Sequence, residues 1–223
     1  MDISLLVPVK DLSRAKTRLT PLLTPTERER LATIMLEGVL RAVAALPARF
    51  GRAVVTSYPP AAALAEGLGF RHLPETRQVS ESASVDAAAA TLAAEGVAGV
   101  FRLPLDLPLI DGADLAEVLA RAEAGERTVL VPSADGTGTN GIYRAPPTLF
   151  PSHFGPGSMA LHRAAAAERG VTPAVLPLRS LALDIDDAAD VAALMATGAA
   201  CPAADFLRGI GVPARLARQQ AAQ

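Results

Sequence analysis

The chain has 223 residues, half of them apolar and 20% charged, which suits one globular domain spanning 1–223. With 21 basic against 23 acidic residues the net charge is −2, so the basic excess typical of nucleic-acid and membrane-surface proteins is missing. A single cysteine, Cys201, rules out an internal disulfide or a cysteine-rich metal site.

No apolar run reaches the length of a bilayer span, and the opening MDISLLVPVKD carries an acid where a signal peptide carries bases. The expectation is a soluble, cytoplasmic protein without nucleic-acid or membrane partners; a homo-oligomer is left open. The composition also marks its exceptions. Arginine outnumbers lysine 19 to 2, so Lys10 and Lys16 stand out, as does Asn140, the one asparagine.

In chain order, ISLLVPV (3–9) reads as a buried strand. A long helix over 25–46 follows, opened by Thr24 or Thr26, with apolar positions at Leu31, Ile34, Met35, Val39 and Val43. RAVVTS (52–57) is a second strand, and 59–68 and 83–95 are helical. GVFRLPL (99–105) is a third strand, before a helix capped by Asp111 and running to about 123. TVLVP (128–132) is a fourth strand and 141–144 a short one; 157–169 is a helix, 175–183 a strand and 187–197 a helix. Such alternation predicts a mostly parallel α/β sheet, in which ligands lie beyond the carboxyl ends of the strands.

Five loops meet that condition. VKDLSRAKTRL places Lys10, Arg14, Lys16 and Arg18 directly after the first strand, as a polyphosphate site would require; a solvated basic turn is the plainer reading. Asp106, in RLPLDLPLIDG, ends a strand where an acid can hold a divalent cation or simply start a turn. In LALDIDD, Asp184 and Asp186 alternate, so on extended backbone they share a side and repel unless a cation lies between them. Capping of the next helix by Asp186 or Asp187 is the competing role.

SADGTGTNGIYR has the GxGxxG spacing at Gly136, Gly138 and Gly141 but leads into IYR, not a helix, so it is no dinucleotide fingerprint. Its backbone N–H groups, with Thr137, Thr139 and Asn140, suit an anion or a plain hairpin. HFGPGSM offers Gly155 and Gly157 for close approach and Ser158 to cap a helix whose N-terminus can take an anion. His153 and His162 frame that segment as surface or hydrogen-bonded histidines. No Walker loop, HExxH, paired CxxC or nucleophile triad occurs.

Taken in order, VPVKDLSRAKTRL, LPLDLPLI, GTGTNGIY, FGPGSMALH and LALDIDDAADV resemble the phosphoenolpyruvate and 2-phospho-L-lactate guanylyltransferases of deazaflavin coenzyme F-420 biosynthesis, from about residue 3 to 195. The resemblance implies a mostly parallel, Rossmann-like sheet flanked by helices, of the nucleotide-diphosphate-sugar transferase or molybdopterin guanylyltransferase type. Here the cationic loop replaces the GxGxR loop of the molybdopterin enzymes. It implies transfer of GMP from GTP to a phosphorylated three-carbon acid, with pyrophosphate leaving.

By the same likeness Asp106, Asp184 and Asp186 hold Mg²⁺, and Thr139, Gly155 and Ser158 bind the acid. Lys10, Lys16 and Arg18 lie along the triphosphate, and Asp106, Lys16 and Arg18 form the catalytic group. Near where the base is read, relatives commonly carry an asparagine; this chain reads ESASVDAA, with Ser82 and Ser84. A non-catalytic nucleotide-binding module is the alternative of another class.

Overall fold

The computed structural model describes residues 2–75 and 79–221. Strand β1 (Ile3–Val9) is buried at every position, because helices cover both faces of the sheet it centres. After a basic loop comes α1 (Pro25–Ala44). Of the two candidate caps, Thr24 does the work: its side chain accepts from the Glu27 N–H while Glu27 reaches back to the Thr24 N–H. The chain continues through β2 (Gly51–Thr56), α2 (Pro59–Gly67), β3 (Arg71–Pro74), α3 (Glu81–Ala94), β4 (Gly99–Arg102) and α4 (Gly112–Glu123). It then forms β5 (Thr128–Pro132), β6 (Thr139–Arg144), α5 (Ser158–Glu168), β7 (Ala174–Val175), α6 (Arg179–Ala182), α7 (Ala188–Ala196), α8 (Pro202–Gly209) and α9 (Val212–Ala221).

The sheet order is β3-β2-β1-β4-β6-β5-β7. All neighbours are parallel except β6, which runs antiparallel between β4 and β5. Alternation along β1 sorts the two layers. Ile3, Leu5, Val7 and Val9 pack with Leu36 and Leu40 of α1, Ala61 of α2 and Leu115 of α4. Leu6, with Ala53 and Val100, packs on the other face against Val85, Ala88 and Leu92 of α3. Farther along that sheet, Leu130 and Ile142 meet Met159 and Ala166 of α5.

Several sequence expectations need correction. The strand expected over 175–183 is two residues, β7, followed by the turn of helix α6; its apolar run buries Leu176, Leu178 and Leu181 against the helical layer without forming a ladder. The third strand stops at Arg102 instead of 105, since Pro104 cannot donate to a ladder. The short strand β3 was not foreseen; its partner β2 supplies all its pairing. Ser158 does not cap α5. Gly157 does, at φ +71°, a left-handed backbone that glycine adopts without strain. Asp111 caps α4 as expected, and Asp114 in the first turn accepts from the N–H and hydroxyl of Ser180.

The C-terminal stretch, whose packing the sequence left open, folds back on α1. Leu207 of α8 and Val212 of α9 bury against Leu31 and Met35. Residues 222–223, the end of that stretch, lie outside the described residues. Arg215 clamps α9 down with two bonds to Glu27, at 2.7 and 2.8 Å, and one to the Leu22 carbonyl at 3.1 Å. The Arg215 hydrogen bond, aided by Thr24 and opposed by burial, holds Glu27 down from 4.5 to about 2.

Because that carboxylate is depressed in the fold, its contribution is complete above pH 4.5 and fades as pH falls towards 2. Arg215→Ala is expected to cost on the order of 1 kcal/mol, about 2–4 °C in Tm for a chain of this size. Thermal unfolding followed from pH 7 down to pH 3 should show that deficit shrinking in acid.

Candidate nucleotide and acid-binding site

The basic loop after β1 is shaped by its own side chains. Asp11 accepts from the N–H and hydroxyl of Ser13, closing the short turn Leu12–Arg14, and buried Leu12 anchors it. Arg28 of α1 reaches the Ala15 carbonyl at 3.2 Å. Lys16 then adopts φ +55°, a left-handed backbone that costs a non-glycine residue about 1–2 kcal/mol. Its ammonium is buried, 2.5 Å from Asp106 and 3.0 Å from Asp186. Arg18, out in solvent, comes within 3.7 Å of Asp186.

Asp106 follows β4, and Asp184 and Asp186 follow α6. The Ile185 N–H donates to the Asp106 carbonyl at 3.2 Å, joining the two acidic segments. Asn140, on β6, places its amide nitrogen 3.0, 2.8 and 3.1 Å from the Leu181 carbonyl, the Ala182 carbonyl and Asp184. Asp187 caps α7, and Asp190 accepts from the N–H groups of Asp186 and Asp187 at 2.8 and 2.9 Å. Carboxylate oxygens of Asp106, Asp184 and Asp186 consequently lie within 4.8 Å of one another. Of the two roles open to this stretch, Asp187 takes the capping and Asp186 faces Lys16.

The electrostatics follow from that crowding. Burial, and then the charge of Asp106, push Asp184 above the usual carboxylate range. Burial pulls the Lys16 ammonium down, but Asp106 and Asp186 outweigh it and hold the group above its ordinary value. One ammonium faces three acids, so the cluster keeps an excess of negative charge.

Two adjoining cavities open beside it. One, of about 340 Å³, is lined by Lys10, Arg14, Lys16, Glu75 and Ser84. The other, of about 520 Å³, is lined by Arg18, Thr139, Gly155, Ser158 and Asp184. Glu81, Arg102, Asp106 and Asp186 line both. Lys10, Arg14 and Lys16 of the first loop thus sit with the first cavity, while Arg18 joins the two small-residue loops at the second.

Ser84 lines the first cavity and donates to Glu75, whereas the Ser82 hydroxyl accepts from the Phe154 N–H at 2.9 Å and lines neither cavity. The Thr139 hydroxyl is held from behind by His162. That ring takes the His153 N–H on Nε2 at 2.9 Å, so its Nδ1 carries the proton and donates to Thr139 at 3.0 Å. Burial, with the charges of Arg144 and His153, pulls His162 down to about 3, so the ring is neutral. Ser158 adds a hydroxyl contact to Thr139 at 3.3 Å.

Two participants escaped the sequence reading. Arg102 falls inside the apolar strand read over 99–105, and Glu81 lies just before the helix read from 83, with nothing to single it out. A charge between Phe101 and Leu103 was the available signal.

Comparison with known proteins settles the family. The sequence model of the family described as "Guanylyl transferase CofC like" matches residues 3–223. The chain belongs to this family. A relative from Rubrobacter xylanophilus, named phosphoenolpyruvate guanylyltransferase, is 36% identical over 200 residues, 89% of this chain and 96% of its own. One of the same name from Nocardia farcinica is 36% identical over 216 residues, 95% of this chain and 93% of its own. Among solved structures, one from Desulfovibrio desulfuricans, named provisionally as a nucleotide-diphospho-sugar transferase, superposes with a TM-score of 0.80 at 15% identity, covering 98% of both chains. That likeness confirms the fold expected from the sequence. The family is one of nucleotidyl-transferring enzymes, and among the described residues no helix is long and apolar enough to cross a membrane.

The raised Asp184 has a consequence for stability. An acid whose folded value lies above its unfolded value of 3.8 opposes folding once pH rises past that value. Asp184→Asn is therefore expected to raise the Tm of the ligand-free protein at pH 7 by a degree or more, with the gain disappearing below about pH 4. Calorimetric scans at pH 3.5 and pH 7 check both halves.

Proposed function

We propose that this protein transfers GMP from GTP to phosphoenolpyruvate, forming enolpyruvoyl-2-diphospho-5'-guanosine and pyrophosphate in deazaflavin coenzyme F-420 biosynthesis. The observation that carries the reading is the acidic triad with Lys16, set between a cation-lined cavity and one built from the Thr139 and Ser158 loops. Names of the relatives supply the substrates. Residues 1–223 are read as one nucleotidyltransferase domain, cytoplasmic, acting on small molecules.

The triad suits a divalent cation by its chemistry. Three hard oxygen donors converge, and burial beside Asp106 leaves Asp184 short of positive charge. Asp106, Asp184 and Asp186 would hold Mg²⁺, which when bound neutralises phosphate charge and orients the triphosphate. The chain's own groups do the remainder. Lys10, Lys16 and Arg18 lie along the triphosphate, and Ser84 borders the base, while Ser82 on the same helix holds the Phe154 N–H. Thr139, Gly155 and Ser158 take the acid, with His162 fixing the Thr139 hydroxyl.

A phosphate oxygen of the acid attacks the α-phosphorus of GTP as the bond to pyrophosphate breaks. The attacking phosphate is already ionised at neutral pH, so no general base is required, and catalysis rests on in-line placement and charge compensation.

Incubation with GTP, Mg²⁺ and each of phosphoenolpyruvate, 2-phospho-L-lactate and 3-phospho-D-glycerate, with pyrophosphate release measured, is expected to give turnover with phosphoenolpyruvate foremost. Asp106→Ala should lower that rate by about 100-fold or more while the fold survives. Binding of GTP without turnover of any of the three acids would instead favour a non-catalytic nucleotide-binding module.

A further inference from the structure

Arg102 ends β4 on the face that meets α3 and α5, and it is only 4% exposed. A guanidinium carries five N–H donors. Here Nη2 donates to Glu81, Nη1 lies 3.5 Å from the Thr139 carbonyl, at the outer limit of a hydrogen bond, and Nε has no partner. Its flat face lies over Phe154, 4.0 Å from the ring centre. Burial pulls the group down to about 9, against the pull of Asp106 and Asp184, so it stays charged at neutral pH.

Arg144, two strand positions away on β6, makes an instructive contrast. It is also buried and its Nη2 likewise has no partner, yet it has Asp86 at 3.0 Å and the Phe150 carbonyl, and the difference is that it lines neither cavity. Arg102 lines both. A buried cation with donors to spare is costly unless an anion meets it. In the 520 Å³ cavity the cations among the described residues are Arg18 and Arg102, and the Arg18 side chain is 71% exposed and drawn to Asp186. Lys16 is occupied by Asp106 and Asp186. A phosphorylated acid entering this cavity meets the clustered Asp106, Asp184 and Asp186, with Asp135, Asp187 and Asp190 also in the lining, and Arg102 is the buried charge that offsets them.

We propose that Arg102 binds an oxyanion of the acceptor acid directly, and that Glu81 fills that anion's place while the cavity is empty. The proposal rests on the guanylyltransferase reading, which supplies an anionic acceptor. Exchange of Glu81 for the acceptor trades one carboxylate partner for another oxyanion, so the buried guanidinium stays compensated throughout. Its planar fork suits a carboxylate or a phosphate, and a lysine could offer only a point charge.

Steady-state kinetics with both substrates test this. Arg102→Gln should raise the acceptor KM by about 10-fold or more, the loss of a charge-assisted hydrogen bond, and leave the GTP KM within about twofold. Arg102→Lys should recover part of the acceptor KM. Glu81→Gln should shift it the opposite way, lowering it several-fold by freeing the fork. Inhibition of wild type and Arg102→Gln by glycerol 1-phosphate and by lactate tells the two oxyanions apart, since the fragment whose inhibition weakens in the variant carries the one bound.

If Arg102 only braces α3 through Glu81, both Arg102→Gln and Glu81→Gln will depress Tm and leave the acceptor KM unchanged or raise it alike, and the proposal is wrong. Should Arg102→Gln fail to fold, Glu81→Gln decides alone: a lower acceptor KM supports the proposal, and an unchanged or higher one overturns it. Wild-type silence with all three acids would bring down the guanylyltransferase reading, and this proposal with it. An active wild type with an unaltered acceptor KM in Arg102→Gln defeats this proposal only.

Discussion

Three carboxylates are held within 4.8 Å of one another, and a single buried ammonium offsets part of their repulsion. Left alone, that arrangement would spring apart. Much of the local structure is an answer to it. Asn140 ties the 181–184 segment to β6, Asp190 fixes the backbone of Asp186, and the Ile185 N–H reaches over to the Asp106 carbonyl. Lys16 accepts a left-handed backbone to bring its charge into the middle. Strain and uncompensated charge concentrated in one place is the signature of a site whose geometry serves binding and not stability.

The sheet explains why these groups meet. The chain runs outward from β1 through β2 to β3, then returns to β4 on the other side of β1. Loops leaving β1 and β4 therefore diverge, and a crevice opens at their carboxyl ends. The Lys16 loop and Asp106 stand on its two banks. The antiparallel strand β6 begins there too, so Thr139 and Asn140 arrive at the same rim from the opposite direction. Acids from positions 106 and 184–186, far apart in sequence, become neighbours because β6 lies between β4 and β5 and carries the anchor for the later segment.

Much of this was legible in the sequence. Short apolar runs and period-3.6 patterns located the major strands and helices, and the rule that ligands lie beyond strand ends pointed to the loops that meet at the site. The alternation of Asp184 and Asp186 implies a cation between them; Lys16 pairs with Asp186 and Asp106, while Asp184 takes the Asn140 amide instead. What stayed hidden was whatever depends on partners distant in sequence. The run 175–183 is as apolar as a strand, yet what it lacks is a neighbour to pair with beyond Val175. Ser158 has the right residue type for a cap, but Gly157 takes that position and frees the hydroxyl for Thr139. Arg102 is concealed in the same way, since nothing local distinguishes a buried arginine aimed at a cavity from one snorkelling to the surface.

The central claim is that the acids at 106, 184 and 186 form one divalent-cation site beside the bound triphosphate. Its most direct test is isothermal titration of Mg²⁺ into the protein holding a non-hydrolysable GTP analogue, for wild type and for Asp184→Asn. The account expects Mg²⁺ binding by wild type and an affinity weaker by about 10-fold or more in the variant, whose fold and GTP-analogue binding persist. Equal Mg²⁺ affinity in the two proteins would contradict it.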